Sequence, residues 1–254
     1  MNLVHHLCDR FMEYGDTRAA IFLPEPAGAA PIRLTYAELD HRARATATWL
    51  AEHHQVDKPV LLLYPPGLGF LIGFLGCLYA RAIAVPAAPP TGLPDTARIH
   101  ALIRDTRATM ILTDPVLQEP LAAARFAATV AAPAPIADPN AWTPPSITGD
   151  TLAYLQYTSG STTQPRGVRI PHSAILHNLA CIHSLADQPH RTLAGWLPHY
   201  HDMGLVGLDL HALSAAADLI LTSPSTFLAR PITWLEMITR YRATCAVAPD
   251  FGYM

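Results

Sequence analysis

The residues best suited to chemistry form a hydroxyl-rich run with interspersed glycines, Tyr157-Thr158-Ser159-Gly160-Ser161-Thr162-Thr163-Gln164-Pro165-Arg166-Gly167. Glycine lets the backbone approach an anion closely, and hydroxyl and backbone N–H groups can donate hydrogen bonds to phosphate oxygens. Ser, Thr and Gly are also common in surface turns, but an unbroken series from Thr158 to Thr163 beside a basic residue exceeds what a turn needs. The run therefore predicts a phosphate-binding loop. It lacks the G-x-x-x-x-G-K-S/T pattern, which argues against a nucleotide hydrolase of that class.

A second polar segment, Gly195 to Leu205, contains His199, His201 and Asp202. It lies between a predicted strand and a predicted helix, which is where α/β folds bind ligands. The H-x-H-D string could instead bind a metal ion, as in a metal-dependent hydrolase. No comparable His/Asp cluster follows in the sequence, and the flanking Pro and Met-Gly residues favour a shaped substrate wall. Both interpretations stay open at this point.

Short apolar, β-prone runs alternate with helical patterns around these two segments. Thr35 and Glu38 form a capping box, so a helix is predicted from about Thr35 to His54. The other predicted strands are 60–63, 83–85, 110–112, 152–156, 192–195, 219–222 and 244–247; the other predicted helices are 68–80, 96–105, 116–128, 173–185, 205–217 and 231–241. This alternation predicts an α/β fold with a parallel, doubly wound sheet.

An Ala- and Pro-rich stretch near 129–148 is predicted to be a linker, because its prolines interrupt any long regular element. It divides the chain into a first α/β part, 1–148, and a second part, 149–254, that carries the phosphate loop. The sequence stops directly after an apolar predicted strand. We therefore expect the chain to be the front part of a larger domain.

Composition excludes several classes of protein. Half of the 254 residues are hydrophobic, so a large core can form, whereas 17 Lys and Arg residues without a run and a net charge of −3 predict no nucleic-acid partner. The uncharged stretch 60–80 is interrupted by Pro65-Pro66-Gly67, so no transmembrane segment is predicted. Four widely spaced cysteines and an N-terminus without a signal-peptide pattern favour reduced thiols and the cytoplasm.

The motifs together resemble the acyl-adenylate-forming enzymes, and within them most closely the fatty acyl-AMP ligases. The resemblance is carried by the loop 157–168, the segment Trp196-Leu197-Pro198-His199-Tyr200-His201-Asp202-Met203-Gly204-Leu205 and the block 231–250, with support from 34–39, 62–67 and 74–80. It implies a reaction in which a fatty acid attacks the α-phosphate of ATP, giving an acyl-adenylate and pyrophosphate. ATP and Mg²⁺ are the implied cofactors, and an acyl carrier protein is the implied acceptor.

The resemblance also implies roles for individual residues. The β and γ phosphates, with Mg²⁺ nearby, would be held by Thr158, Ser159, Gly160, Ser161, Thr162, Thr163, Arg166 and Gly167, and Thr162 would lie nearest the metal. His201 would sit beside the acyl carboxylate and the adenylate phosphate. The acyl pocket would be lined by Trp196, Met203, Gly204, Pro249, Asp250 and Phe251.

The sequence departs from the family pattern at several places. The family's Gly-x-Pro-Lys-Gly is replaced by Thr163-Gln164-Pro165-Arg166-Gly167, a change that is common among fatty acyl-AMP ligases, and Asp250 stands where the family has Asn. The later Tyr-Gly-x-Thr/Ser-Glu block, the ribose-binding Asp and the lid with its catalytic Lys are not in this sequence. The expected fold is therefore the parallel-sheet subdomains of the N-terminal domain without the later barrel and lid. An inactive remnant or a binding module is the alternative function.

Overall fold

The computed structural model describes residues 2–25, 29–133, 138–158, 166–185 and 191–254, apart from the side chains of Pro139 and Thr158. These residues form two compact units. The first unit contains residues 1–40, 66–68 and 173–254, and the second contains residues 41–65 and 69–172. Each unit is built around its own β-sheet.

Strands and helices alternate along most of the chain. The strands are β1 (Ala19–Leu23), β2 (Ile32–Thr35), β3 (Pro59–Leu62), β4 (Ile83–Pro86), β5 (Met110–Leu112), β6 (Thr129–Ala131), β7 (Leu152–Thr158), β8 (Arg166–Pro171), β9 (Thr192–Gly195), β10 (Asp218–Thr222) and β11 (Cys245–Ala246). The helices are α1 (Leu3–Tyr14), α2 (Tyr36–Glu52), α3 (Leu68–Tyr79), α4 (Leu93–Thr106), α5 (Pro115–Ala123), α6 (His172–Ser184), α7 (Asp202–Gly204), α8 (His211–Ser214), α9 (Pro224–Ala229) and α10 (Ile232–Tyr241), with a π-helical turn at Leu205–Leu210 between α7 and α8.

The sheet of the first unit has the order β11-β9-β10-β1-β2. Strand β10 pairs in parallel with β1 and β9, β11 pairs in parallel with β9, and only β2 runs antiparallel to its neighbour. The strands β9 and β10 are almost wholly buried and apolar, as expected for parallel strands covered on both faces. At the start of α2, Thr35 and Glu38 exchange backbone-to-side-chain hydrogen bonds of 2.7 and 3.1 Å, which confirms the predicted capping box.

The sheet of the second unit has the order β6-β5-β3-β4-β7-β8, and β8 is its antiparallel edge. Its central strands are buried runs such as Leu61, Leu62 and Ile111. One core cluster of this unit packs Leu61, Val85 and Ile111 against the α4 residues Ile99, Leu102 and Ile103. The predicted α/β class with parallel strands is therefore present in both units.

The compact units do not follow the predicted subdivision into 1–148 and 149–254. The physical reason is the pairing of β1 with β10, which joins residues about 200 positions apart, such as Ala20 and Leu219. The predicted helix over 116–128 also ends earlier, at Ala123, because residues 129–131 pair with β5 as strand β6. In the described part of the chain, no helix is both long and apolar enough to cross a membrane.

Candidate functional site

The base of the predicted phosphate loop is an antiparallel pair of strands in the second unit. Strand β7 ends at Thr158 and β8 begins at Arg166, and these two residues are partners in the ladder. Ser159, Gly160, Ser161, Thr162 and Thr163 lie outside the described residues. Since β7 is parallel to β4, the segment leaves from the carboxyl ends of the parallel strands, which is where α/β folds bind ligands.

Tyr157 and Gly167 form the next pair of the same ladder. A Cβ atom on Gly167 would lie 2.8 Å from Cζ of Tyr157, so only glycine leaves room for the ring. The Tyr157 hydroxyl donates a hydrogen bond to Oδ2 of Asp105 on α4. Burial, assisted by this hydrogen bond, raises the pKa of Tyr157, so the phenol keeps its proton. The strand ladder, the ring and the hydroxyl together fix both ends of the loop.

His201 lies in the first unit, at the start of α7. Its Nδ1 is 3.2 Å from the backbone nitrogen of Met203 and 2.7 Å from Oδ1 of Asp202. The side chain is otherwise open to solvent, with 61% of its surface exposed. The predicted site residues His201, Met203 and Gly204 are thus together at one helix start, and Gly204 is the buried member of the three.

His199 pairs with a different acid, Asp209. Its Nδ1 lies 2.7 Å from Oδ2 of Asp209, inside the protein. Across the residues that the structure describes, no three His, Cys, Asp or Glu side chains are arranged to hold a metal ion. The two histidines of the H-x-H-D string therefore belong to different pairs, His199 with the buried Asp209 and His201 with the exposed Asp202. The metal-site hypothesis gains no support.

Trp196 lies in an aromatic cluster of the first unit and is only 4% exposed. It stacks on Phe227 with ring centroids 3.9 Å apart, and the ring of Phe251 is 5.7 Å from it. Phe251 is half-exposed, in the short 3₁₀ turn Asp250–Tyr253 that follows Pro249. The structure thus brings Trp196 and Phe251 together. Substrate contacts by Trp196, Pro249, Asp250 and Phe251 stay predictions.

Sequence reasoning missed Asp105, Asp209 and the anchoring role of Tyr157. The contact between Tyr157 and Asp105 spans 52 positions, and Asp105 belongs to no motif. Asp209 is an acid in an apolar helical pattern, and that anomaly was a usable signal. An acid at a core position is rarely buried without a specific partner.

Comparison with known proteins places the chain in a family. Residues 9–251 match the model of the AMP-binding enzymes, and the chain belongs to this family. It is 39% identical over 233 residues to a medium-chain-fatty-acid–[acyl-carrier-protein] ligase of Moorena producens, covering 87% of this chain and 39% of that protein. It is 34% identical over 235 residues to a long-chain-fatty-acid–AMP ligase of Mycobacterium tuberculosis, covering 87% and 40%.

A solved structure gives the same result. The fatty acyl-adenylate ligase of Legionella pneumophila in complex with acyl adenylate and pyrophosphate matches with a TM-score of 0.87 and 33% identity, over 99% of this chain and 45% of that one. The resemblance to fatty acyl-AMP ligases and the predicted fold are confirmed. The chain spans about 40% of the length of the curated relatives it matches.

Proposed function

We propose that the protein to which this chain belongs activates a fatty acid as its acyl-adenylate and passes the acyl group to the phosphopantetheine thiol of an acyl carrier protein. The observation that carries the proposal is the match over residues 9–251 to a family whose similar members are fatty-acid ligases. In the first step the fatty carboxylate attacks the α-phosphorus of ATP. A new P–O bond forms, the bond to the β-phosphate oxygen breaks, and pyrophosphate leaves.

The segment 158–167 is the proposed phosphate holder. Its hydroxyls and backbone N–H groups would bind the β and γ phosphates, and the exposed Arg166 at the mouth of the β7–β8 pair would add charge. The fit is supported by Gly167, where the absence of a side chain accommodates the Tyr157 ring and keeps both loop ends in place. Phosphate oxygens and the Thr162 hydroxyl are ligands of the kind that Mg²⁺ prefers. Bound Mg²⁺ would neutralise charge on the phosphates.

His201 is the proposed contact to the reacting carboxylate. Its Nδ1 accepts from the Met203 N–H at the start of α7, so the ring proton is on Nε2, the nitrogen that can face a ligand. An Nε2–H would donate to an oxygen of the carboxylate or of the adenylate phosphate, orienting the nucleophile and stabilising negative charge.

A binding module without turnover is the second candidate. It concerns the chain taken by itself, which spans 39% to 45% of the length of the relatives compared above. Such a module would hold ATP or an acyl-adenylate without making one, since catalytic closure requires parts that exclude water.

Fatty-acid-dependent exchange of labelled pyrophosphate into ATP separates the two candidates. The purified chain is incubated with MgATP, labelled pyrophosphate and either medium- or long-chain fatty acids. Exchange that requires the fatty acid and is lost in His201→Ala establishes adenylation. ATP binding without exchange favours the binding module. The absence of both ATP binding and exchange would contradict both candidates.

A further inference from the structure

A buried acid–imidazole pair, His199 and Asp209, adjoins the segment that carries His201. The two side chains meet at 2.7 Å, and the residues are 8% and 0% exposed. An ionised carboxylate can only accept, so the imidazole donates from Nδ1. Burial raises the pKa of Asp209, and His199 opposes that rise. The proposed chemistry uses neither group, so the pair needs a different explanation.

The carboxylate of Asp209 depends on this one contact. Its second oxygen, Oδ1, is buried and has no hydrogen-bond partner among the described residues. A buried carboxylate is costly unless it is paired and hydrogen-bonded. The bond to His199 is therefore what offsets the desolvation of Asp209.

Asp209 is mounted on a rigid part of the first unit, the π-helical turn Leu205–Leu210. A Cβ atom on Gly195 at the end of β9 would overlap the side chain of Leu208, so this turn is in close contact with the strand. Turns of this kind occur mostly as single insertions in α-helices, frequently at functional sites. The turn thus gives Asp209 a fixed position relative to β9.

The backbone of the loop between β9 and α7 is held on both sides of His201. The His201 N–H donates to the Pro198 carbonyl at 3.1 Å, and the Leu205 N–H donates to the His201 carbonyl at 2.8 Å. A Cβ atom on Gly204 would overlap the Pro198 carbonyl oxygen. The pair of His199 with Asp209 adds a side-chain contact between this loop and the helical turn. Within the described part of the chain, the polar contacts of the exposed His201 ring are to its neighbours Asp202 and Met203, so its position follows that of the loop.

We propose that Asp209, acting through His199, is a positioning residue that holds the His201 imidazole in place. The inference rests on the proposed function, in which His201 faces the acyl carboxylate. The chemistry of that step gives the pair its purpose, because a nucleophile must be oriented closely and small displacements lower the rate.

The first test reads the His201 ring directly in the chain without ligand. Histidine side-chain NMR is recorded for the wild type, for Asp209→Asn and for the double variant His199→Leu, Asp209→Leu. Replacing a buried pair by apolar residues usually preserves folding, so the double variant remains informative if Asp209→Asn unfolds. His201 resonances should shift and broaden in the folded variants. In His199→Asn, whose amide can still donate a hydrogen bond to Asp209, the His201 resonances should be as in the wild type.

The control is His6→Gln, which alters another part-buried imidazole pair of the same unit, 2.8 Å between His6 Nε2 and the Ser214 hydroxyl. It should leave the His201 resonances unchanged. The inference is overturned when folded variants that lack the pair show His201 resonances identical to those of the wild type.

A second test separates this inference from the proposed function. The probe is a non-hydrolysable acyl-sulfamoyl adenosine, measured by calorimetry. The pair variants should bind it about tenfold more weakly, the effect of one hydrogen bond to a charged group, and should show no further loss once His201→Ala is present. Equal affinity in wild type and pair variants overturns the inference. If the wild type does not bind the probe while the NMR effect is present, the proposed function fails and the positioning of His201 is supported.

Discussion

Tyr157, Gly167 and Asp105 illustrate how single residues hold the strand ends that flank the candidate phosphate loop. The motif alone predicts that this part of the chain binds phosphate. It does not predict that Gly167 is required by an aromatic ring across the ladder, or that the ring is held by an acid on α4. These contacts join residues that are distant in sequence, so no local pattern encodes them.

The buried His172 should make the stability of the protein depend on pH. The residue is 1% exposed at the start of α6, and burial lowers its pKa from 6.5 to about 4. Between these two values the unfolded chain binds a proton that the folded chain does not. The free energy of unfolding should therefore fall as the pH drops from 6.5 to about 4, by an amount on the order of 3 kcal/mol.

His172→Gln should remove this part of the pH dependence, as measured by urea unfolding at several pH values. His177→Gln is the matched control, because His177 is exposed on the same helix. A pH dependence that is identical in wild type and His172→Gln would show that the residue does not contribute.

The sequence of helix α3 is adapted to its packing, because two of its glycines face the side chain of Tyr64 from the preceding loop. The ring of Tyr64 packs over one face of the helix: a Cβ atom on Gly73 would lie 2.6 Å from its hydroxyl oxygen, and one on Gly69 would lie 3.4 Å from its Cδ1. Burial raises the pKa of Tyr64, so its hydroxyl is not ionised. The close approach explains Gly73 in the interior of the helix, where glycine is otherwise unfavourable.

Gly73→Ala should destabilise the protein by about 1–3 kcal/mol, because the added methyl overpacks against Tyr64. Gly69→Ala is the control in the same helix. Its methyl would make an ordinary contact, and alanine's higher helix propensity should leave stability unchanged or raised by up to about 1 kcal/mol. Thermal unfolding of both variants checks the difference, and equal effects would contradict the packing explanation.

Elements with strong local signals were predictable from the sequence. The capping box located the start of α2, and β5 has the predicted bounds Met110–Leu112. The strand β1 and the edge strands β2, β6 and β8 were missed. Pairing rather than periodicity defines the three edge strands. The predicted helix over 205–217 has the right type of periodicity but contains a π-helical turn around the buried Asp209. The pairing of Asp209 with His199 at that turn cannot be predicted from hydrophobic periodicity.

Chain connectivity sets the limits of prediction for the whole molecule. The first unit combines residues 1–40 with residues 173–254, and the second unit is inserted between them along the chain. Pairing of β1 with β10 could not be read from local sequence, because loops of any length can close at a slowly rising entropic cost. Family membership, by contrast, was predictable, since it rests on motifs in which residue type and spacing are both specific.

The most direct test of the account is the binding of MgATP to the whole chain, measured by calorimetry. The comparison is between wild type, the loop variant Ser159→Ala, Thr162→Ala and a control that removes two exposed hydroxyls elsewhere, Thr109→Ala, Ser173→Ala. The wild type and the control variant should bind MgATP with equal affinity. Loss of two hydrogen bonds to charged phosphates, at about tenfold each, should weaken the loop variant about a hundredfold. Equal affinity in all three proteins, with the fold intact, would contradict the assignment of the phosphate-binding loop.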